Sequence, residues 1–203
     1  MNTVQPETLL PLAAEAQDLL FREARTANTF TDAPVTDDQI RDIYELIKYG
    51  PTSMNQQPLR IVLVRSPEAR ARLVTHMIDN NKPKTATAPL TAILAADLNF
   101  HENLPKVFPH APEAKGYFAD PDYRAESARF NALIQTGYFI LGIRAAGLAA
   151  GPMNGFDAEG LDKDFFPDGT HSALVVVNIG TPGTDAWFPR SPRLTYDEVV
   201  TTV

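Results

Sequence analysis

The apolar and polar positions divide the chain into helical and extended stretches. Residues 8–24 are mostly good helix formers. Leu12, Ala16, Leu19, Leu20 and Glu23 recur at helical spacing, with one apolar stripe. Thr36 opens a second helix, and Gln39 three residues on has capping-box spacing. Ile40, Ile43, Tyr44 and Ile47 share one face of it, and Gly50-Pro51 is a stop signal. Arg60–Arg65 (RIVLVR) reads as a strand. Ser66-Pro67 reads as an N-cap with proline at the first helical position, predicting a helix to about Ile78. Leu90–Ala96 lacks alternation, which predicts a strand buried on both faces. Residues 98–122 are Pro-rich and irregular, the pattern of an active-site cover or a mobile excursion.

Ala125–Ala146 is the longest helical pattern, with Phe130, Leu133, Ile134, Phe139, Ile140, Leu141 and Ile143 on more than one side. It predicts a central buried helix ended by Gly147. Ser172–Ile179 (SALVVVNI) is a third continuously apolar strand, and Tyr196–Val203 a short helix or strand able to reach a neighbour. About five helices and three to five strands interleave, without a linker, which argues for one α/β or α+β sandwich over residues 1–203.

Composition narrows the classes. The chain has 203 residues, of which 44% are hydrophobic, enough for a substantial core. No apolar run approaches the ~20 residues of a membrane helix, and the N-terminus lacks a basic start followed by an apolar block, so a soluble protein without a secretory signal is expected. Cysteine is absent, which excludes disulfides and thiolate chemistry and suits a reducing cytoplasm. The net charge of −7 argues against a nucleic-acid partner while leaving room for a local basic pocket for phosphate.

The familiar catalytic signatures are missing. No G-x-G-x-x-G or G-x-x-x-x-G-K-[ST] loop and no G-x-S-x-G elbow occurs. His76, His101, His110 and His171 show no metal-ligand spacing. Four segments carry the candidate chemistry instead. Glu23–Asn28 brings Arg25. Gly50–Pro58 (GPTSMNQQP) is a turn rich in hydroxyls and amides; it is either an anion-presenting loop or an ordinary polar turn. Gly151–Asp157 (GPMNGFD) has glycines that allow close approach to a flat ligand, while Asp157 could simply cap the next helix. Arg190-Ser191-Pro192-Arg193 offers two forked donors to a phosphate, or a plain basic surface.

In that order, these segments resemble the FMN-dependent nitroreductase family. GPTSMNQQP is similar to its P-[ST]-S-x-N-x-Q-P signature, and GPMNGFD, roughly one hundred residues further on, to its P-x-[EN/S]-G-F-D segment. EART resembles the first phosphate-and-ring contact, and RSPRLTYDEVV the Arg-containing tail. The resemblance spans residues from about 18 to 203 and is nearest the malonic-semialdehyde reductase branch.

It implies a three-layer α/β/α sandwich of α+β class, with a central mixed sheet, in a domain-swapped homodimer holding FMN at its interface. Arg25, Thr26 and Ala27 would form the first FMN segment, with Arg25 near the ribityl phosphate. Pro51, Thr52, Ser53 and Asn55 would reach FMN from the opposite subunit. Asn81 and Lys84 would approach the pyrimidine edge. Pro152, Met153, Asn154 and Gly155 would lie along the isoalloxazine, the Gly155 N–H facing N5. Arg190 and Arg193 would close on the phosphate. Two positions depart from the family: Asn28-Thr29 stands where many relatives have a basic residue, leaving Lys84 to serve N1/O2, and Asn154 stands where many have Glu.

The implied activity is ping-pong hydride transfer from NADH or NADPH through N5 to a small aldehyde such as malonic semialdehyde. A nitroaromatic or quinone reductase and a non-redox flavin-binding protein are the alternatives. Because the flavin carries the redox chemistry, no acid–base pair is needed. A semialdehyde's carboxylate would want a cation, for which Lys106, Lys115 and Arg124 are candidates.

Overall fold

A computed structural model describes residues 10–203. The stretch before Leu10, including the start of the first expected helix, lies outside the described residues. Helix α1 is short (Ala14–Gln17) and runs into a π-helical turn, Asp18–Arg22, so Arg25 lies past the helix rather than on its last turn. Helix α2 (Asp37–Ile47) has the expected capping box between Thr36 and Gln39. Strand β1 (Leu59–Val64) leads through the Ser66 cap, which accepts from Ala69 N, into α3 (Pro67–His76).

Next come α4 (Lys82–Thr87) and β2 (Leu90–Asp97). Residues 98–122 are ordered rather than loose. They form 3-10 turns at Phe100–Asn103 and Pro112–Phe118, with α5 (Leu104–Val107) between them. Phe100, Leu104 and Phe118 are buried there against Ala128 and Ala132. Apolar residues spaced through the proline-rich sequence anchor it to the core.

Helix α6 (Pro121–Ala145) begins earlier than the apolar pattern indicated, because Asp120 caps it by accepting from Tyr123 N. Gly147, at φ 74°, ends it in the left-handed region. β3 (Ala149–Met153), α7 (Ala158–Phe165), β4 (His171–Gly180) and α8 (Tyr196–Val199) follow. β3 takes in Gly151-Pro152-Met153, a segment in which no strand was expected.

The four strands are ordered β1-β2-β4-β3, and all three pairings are antiparallel. The sheet within the chain is thus antiparallel, not mixed as the resemblance implied: each described strand reverses on its neighbour in the sheet. Every residue of β2 is buried. Its Leu90, Ala92 and Leu94 pack with Ile43 of α2 and Phe139 and Ile143 of α6, while Ile93 and Ala95 pack with Leu73 of α3 and Leu161 of α7. Two apolar layers on one strand explain its continuous apolar run and give the three-layer α/β/α sandwich.

The expectation of a wholly buried α6 is corrected. Phe139 and Ile143 are inside, but Phe130 is 65% exposed and Leu133 49%. The helix has apolar residues on two sides, and the chain covers only one of them.

Candidate functional site

The first segment of interest is a chain reversal laid against the edge of β3. Ala27 N–H donates to the Ala150 carbonyl at 3.0 Å, and Asn28 N–H to the Ala186 carbonyl at 3.0 Å. Gly151 makes this contact possible: a Cβ there would lie 2.6 Å from the Ala27 carbonyl oxygen. Arg190 donates to the carbonyls of Ala24 (3.2 Å) and Arg22 (2.5 Å). A 280 Å³ cleft results, whose lining includes Arg25, Thr26, Asn28, Phe188, Arg190 and Arg193. The three arginines expected at the phosphate, Arg25, Arg190 and Arg193, therefore meet. They do so because backbone carbonyls, not carboxylates, hold the turn.

Beside it, Asn28 and Phe188 also line a second cleft with Lys84. Lys84 Nζ reaches Asn28 Oδ1 at 3.5 Å, and partial burial lowers its pKa from the ordinary lysine value. Asn81 donates to the Gly155 carbonyl at 3.0 Å. Gly155 is tightly enclosed: a Cβ would meet Ile78 Cδ1 at 2.5 Å and Asn81 Nδ2 at 2.8 Å. A side chain there would have to displace the tips of Ile78 and Asn81. Pro152 and Met153 lie on β3, and Asn154 is exposed just past it. Asp157 does cap α7, accepting from Gly160 N–H at 3.1 Å.

The second group stands apart. Pro51, Thr52 and Asn55 line a 430 Å³ cleft with Tyr44, Tyr49 and Gln57, sharing no residue with the arginine cleft. The turn is strained: Met54, Asn55 and Gln57 have φ of 49°, 51° and 47°. Such strain persists only where surroundings over-determine it, and it clusters at functional sites. Two supports are visible. Asn55 Nδ2 donates to the Val107 carbonyl of α5 at 2.7 Å. Asn131 of α6, 2% exposed, accepts from Ser53 N–H at 2.8 Å and donates to Gln56 Oε1 at 3.1 Å. Sequence patterning does not single out Asn131. Its only signal was a polar residue on the core side of an apolar helix.

The three excursion cations separate. Arg124 is occupied by the carbonyls of Leu98 (3.0 Å) and Phe118 (2.9 Å), and Lys115 by Glu102 at 2.6 Å. Lys106 is exposed and makes no ion pair among the described residues.

The fold and these clefts define an α+β protein with two separate polar, turn-built surfaces, one of them rich in arginine. Residues 21–181 match the Nitroreductase family. A Streptomyces coelicolor protein with the provisional name NADH dehydrogenase/NAD(P)H nitroreductase is 66% identical over 195 residues, covering 96% of this chain and 99% of the relative. A similarly named Caulobacter protein is 44% identical over 187 residues, covering 92% and 96%. Among solved structures, a provisionally described nitroreductase from Exiguobacterium sibiricum, in complex with FMN, superposes with a TM-score of 0.83 at 18% identity, covering 94% and 98%. An enone reductase of gut-bacterial fatty-acid saturation superposes at 0.80 and 17% identity, covering 94% and 99%. These two establish the fold. The chain belongs to the Nitroreductase family.

Proposed function

We propose that this chain is an FMN-dependent NAD(P)H oxidoreductase acting as a cytoplasmic homodimer of single-domain subunits. The observation that carries the reading is the arginine cleft. Of its three arginines, Arg190 and Arg193 have no carboxylate within ion-pair distance among the described residues, and Arg25 has only Glu23 at 3.6 Å, in a protein of net charge −7. Three guanidiniums gathered in one cleft, two of them without a carboxylate, fit a phosphate dianion. The names of the relatives and the FMN held by the Exiguobacterium protein support the same group.

Arg25, Thr26, Arg190 and Arg193 would hold the phosphate. Lys84 and Asn81 would face the pyrimidine edge, where Lys84 offsets negative charge. Pro152, Met153, Asn154 and Gly155 would border the ring, and Ala27 would hold the turn against β3. Pro51, Thr52, Ser53 and Asn55 would come from the partner subunit. That arrangement is supported by the separation of the two clefts and by large exposed apolar residues: Tyr49, Phe130, Phe188, Tyr196 and Val199. The tail from residue 181 onward, largely exposed, is suited to an exchange between subunits. When bound, FMN supplies the hydride chemistry between NAD(P)H and an acceptor. The chain's part is to grip the phosphate, fix the ring edge and leave a face open.

For the acceptor, a small aldehyde bearing a carboxylate, such as malonic semialdehyde, is the reading we favour, because Lys106 is the cation of the excursion left uncommitted. It lies next to Val107, whose carbonyl holds Asn55. An acceptor screen on FMN-loaded protein tests this. NAD(P)H oxidation with malonic semialdehyde at a kcat/KM at least about tenfold above that for a nitroaromatic is expected. Turnover of nitroaromatics or quinones with the semialdehyde untouched would overturn the substrate assignment, and no NAD(P)H oxidation with any acceptor would favour the non-redox flavin protein.

A further inference from the structure

Residues 19–25 form the reversal that delivers Arg25 and Thr26 to the cleft, and two arginines strap it through four of its carbonyls. Arg190 takes the carbonyls of Arg22 and Ala24. Arg144, in the last turn of α6, takes the carbonyls on either side of that span: Nε donates to Leu19 O at 3.2 Å and Nη1 to Arg25 O at 3.4 Å. Arg144 thus connects the long central helix to the backbone of the very residue expected at the phosphate. It pairs with no carboxylate among the described residues; the nearby acids Asp18 and Glu23 pair with Arg22 and Arg25. Burial and then the charge of Arg190 make Arg144 easier to deprotonate than an ordinary arginine. A partly buried cation beside a like charge and without a counter-ion is an unfavourable arrangement, and a bound anion relieves it.

We propose that Arg144 is a positioning residue for the phosphate end of the FMN site, fixing the Arg25 backbone through two carbonyls and adding uncompensated positive charge to the cleft. This rests on the FMN reading above. A lysine there keeps the charge but lacks the planar fork that reaches two carbonyls at once. The effect belongs to the phosphate, so it separates FMN from riboflavin, which shares the ring but has no phosphate.

The test is the dissociation constant of each flavin, measured by flavin fluorescence, for wild type, Arg144→Lys and Arg144→Met, with circular dichroism to confirm folding. The expected result is that the preference for FMN over riboflavin falls about tenfold in Arg144→Met, the size of losing a hydrogen bond to a charged group. Arg144→Lys recovers only part of it, and its FMN binding weakens more steeply with salt than that of Arg144→Met. An FMN-to-riboflavin ratio within about twofold of wild type in folded Arg144→Lys and Arg144→Met overturns the proposal, including the case where both flavins weaken equally. Full rescue by lysine overturns the carbonyl-bridging role. Wild-type protein that takes up no FMN would instead end the functional reading itself.

Discussion

Gly151→Val is expected to lower the thermal midpoint by about 6–12 °C and to weaken FMN binding by at least about tenfold. The added Cβ would lie 2.6 Å from the Ala27 carbonyl oxygen, 3.5 Å from Asn178 Cβ and 3.6 Å from Phe30 Cζ. The nearest of these is backbone, which cannot rotate away as a side-chain tip can. Overpacking of this kind costs about 1–3 kcal/mol, and here the upper end applies because Ala27 is fully buried. The displaced segment carries Arg25, Thr26 and Asn28, so the loss of stability and the loss of flavin arise together. Gly116→Ala is the control. Nothing lies within 4 Å of its Cβ position, and a change within about 0.5 kcal/mol is expected. Thermal melts and flavin-fluorescence titration of both variants check the pair.

Asn131→Leu should damage the other half of the site. Its side chain accepts from Ser53 N–H and donates to Gln56 Oε1 and to the Ser127 carbonyl, at 2.8, 3.1 and 2.9 Å. Leucine is of similar size but takes the acceptor from Ser53 N–H, at a cost of about 1–3 kcal/mol, while Gln56 Oε1 keeps only its bond from Ser127 Oγ. The turn it supports holds three non-glycine residues at positive φ, each an unfavourable conformation of order 1–3 kcal/mol. Once the anchor is gone the turn relaxes. We expect FMN affinity to fall about tenfold or more while the arginine cleft stays intact. Asn131→Asp keeps the acceptor for Ser53 N–H and loses the donor, so it should fall between. Wild-type affinity in folded Asn131→Leu would show that the turn's shape does not matter to binding.

Much of this was legible in the chain. Thr36, Ser66 and the unbroken apolar runs of β2 and β4 act locally: a cap works within one turn, and a strand buried on both faces has no polar alternation. The four candidate segments were also legible, because turns that present donors are written in glycine, proline and short polar residues. Three features were not. β3 was hidden because Gly151 and Pro152 carry turn chemistry, and only pairing with β4 makes them a strand. Asn131 and Arg144 sit on a helix surrounded by apolar residues, and their partners lie 78 and 119 residues away in sequence. Long-range side-chain-to-backbone bonds of this sort leave no periodic trace. The exposed side of α6 was invisible for a related reason, since apolar periodicity marks a face as apolar without saying whether this chain covers it.

In the proposed dimer, one flavin is held by the arginine cleft of one subunit and the Ser53–Asn55 turn of its partner. Mixing two variants tests it: Arg25→Glu, which spoils the cleft, and Ser53→Trp, which spoils the turn. Each alone should bind no FMN. After subunit exchange, half of the dimers are mixed and each has one intact cleft facing one intact turn, so about a quarter of all sites should recover FMN in a fluorescence titration. A mixture that binds no FMN would contradict the account, because it would mean that cleft and turn serve the same site within one chain.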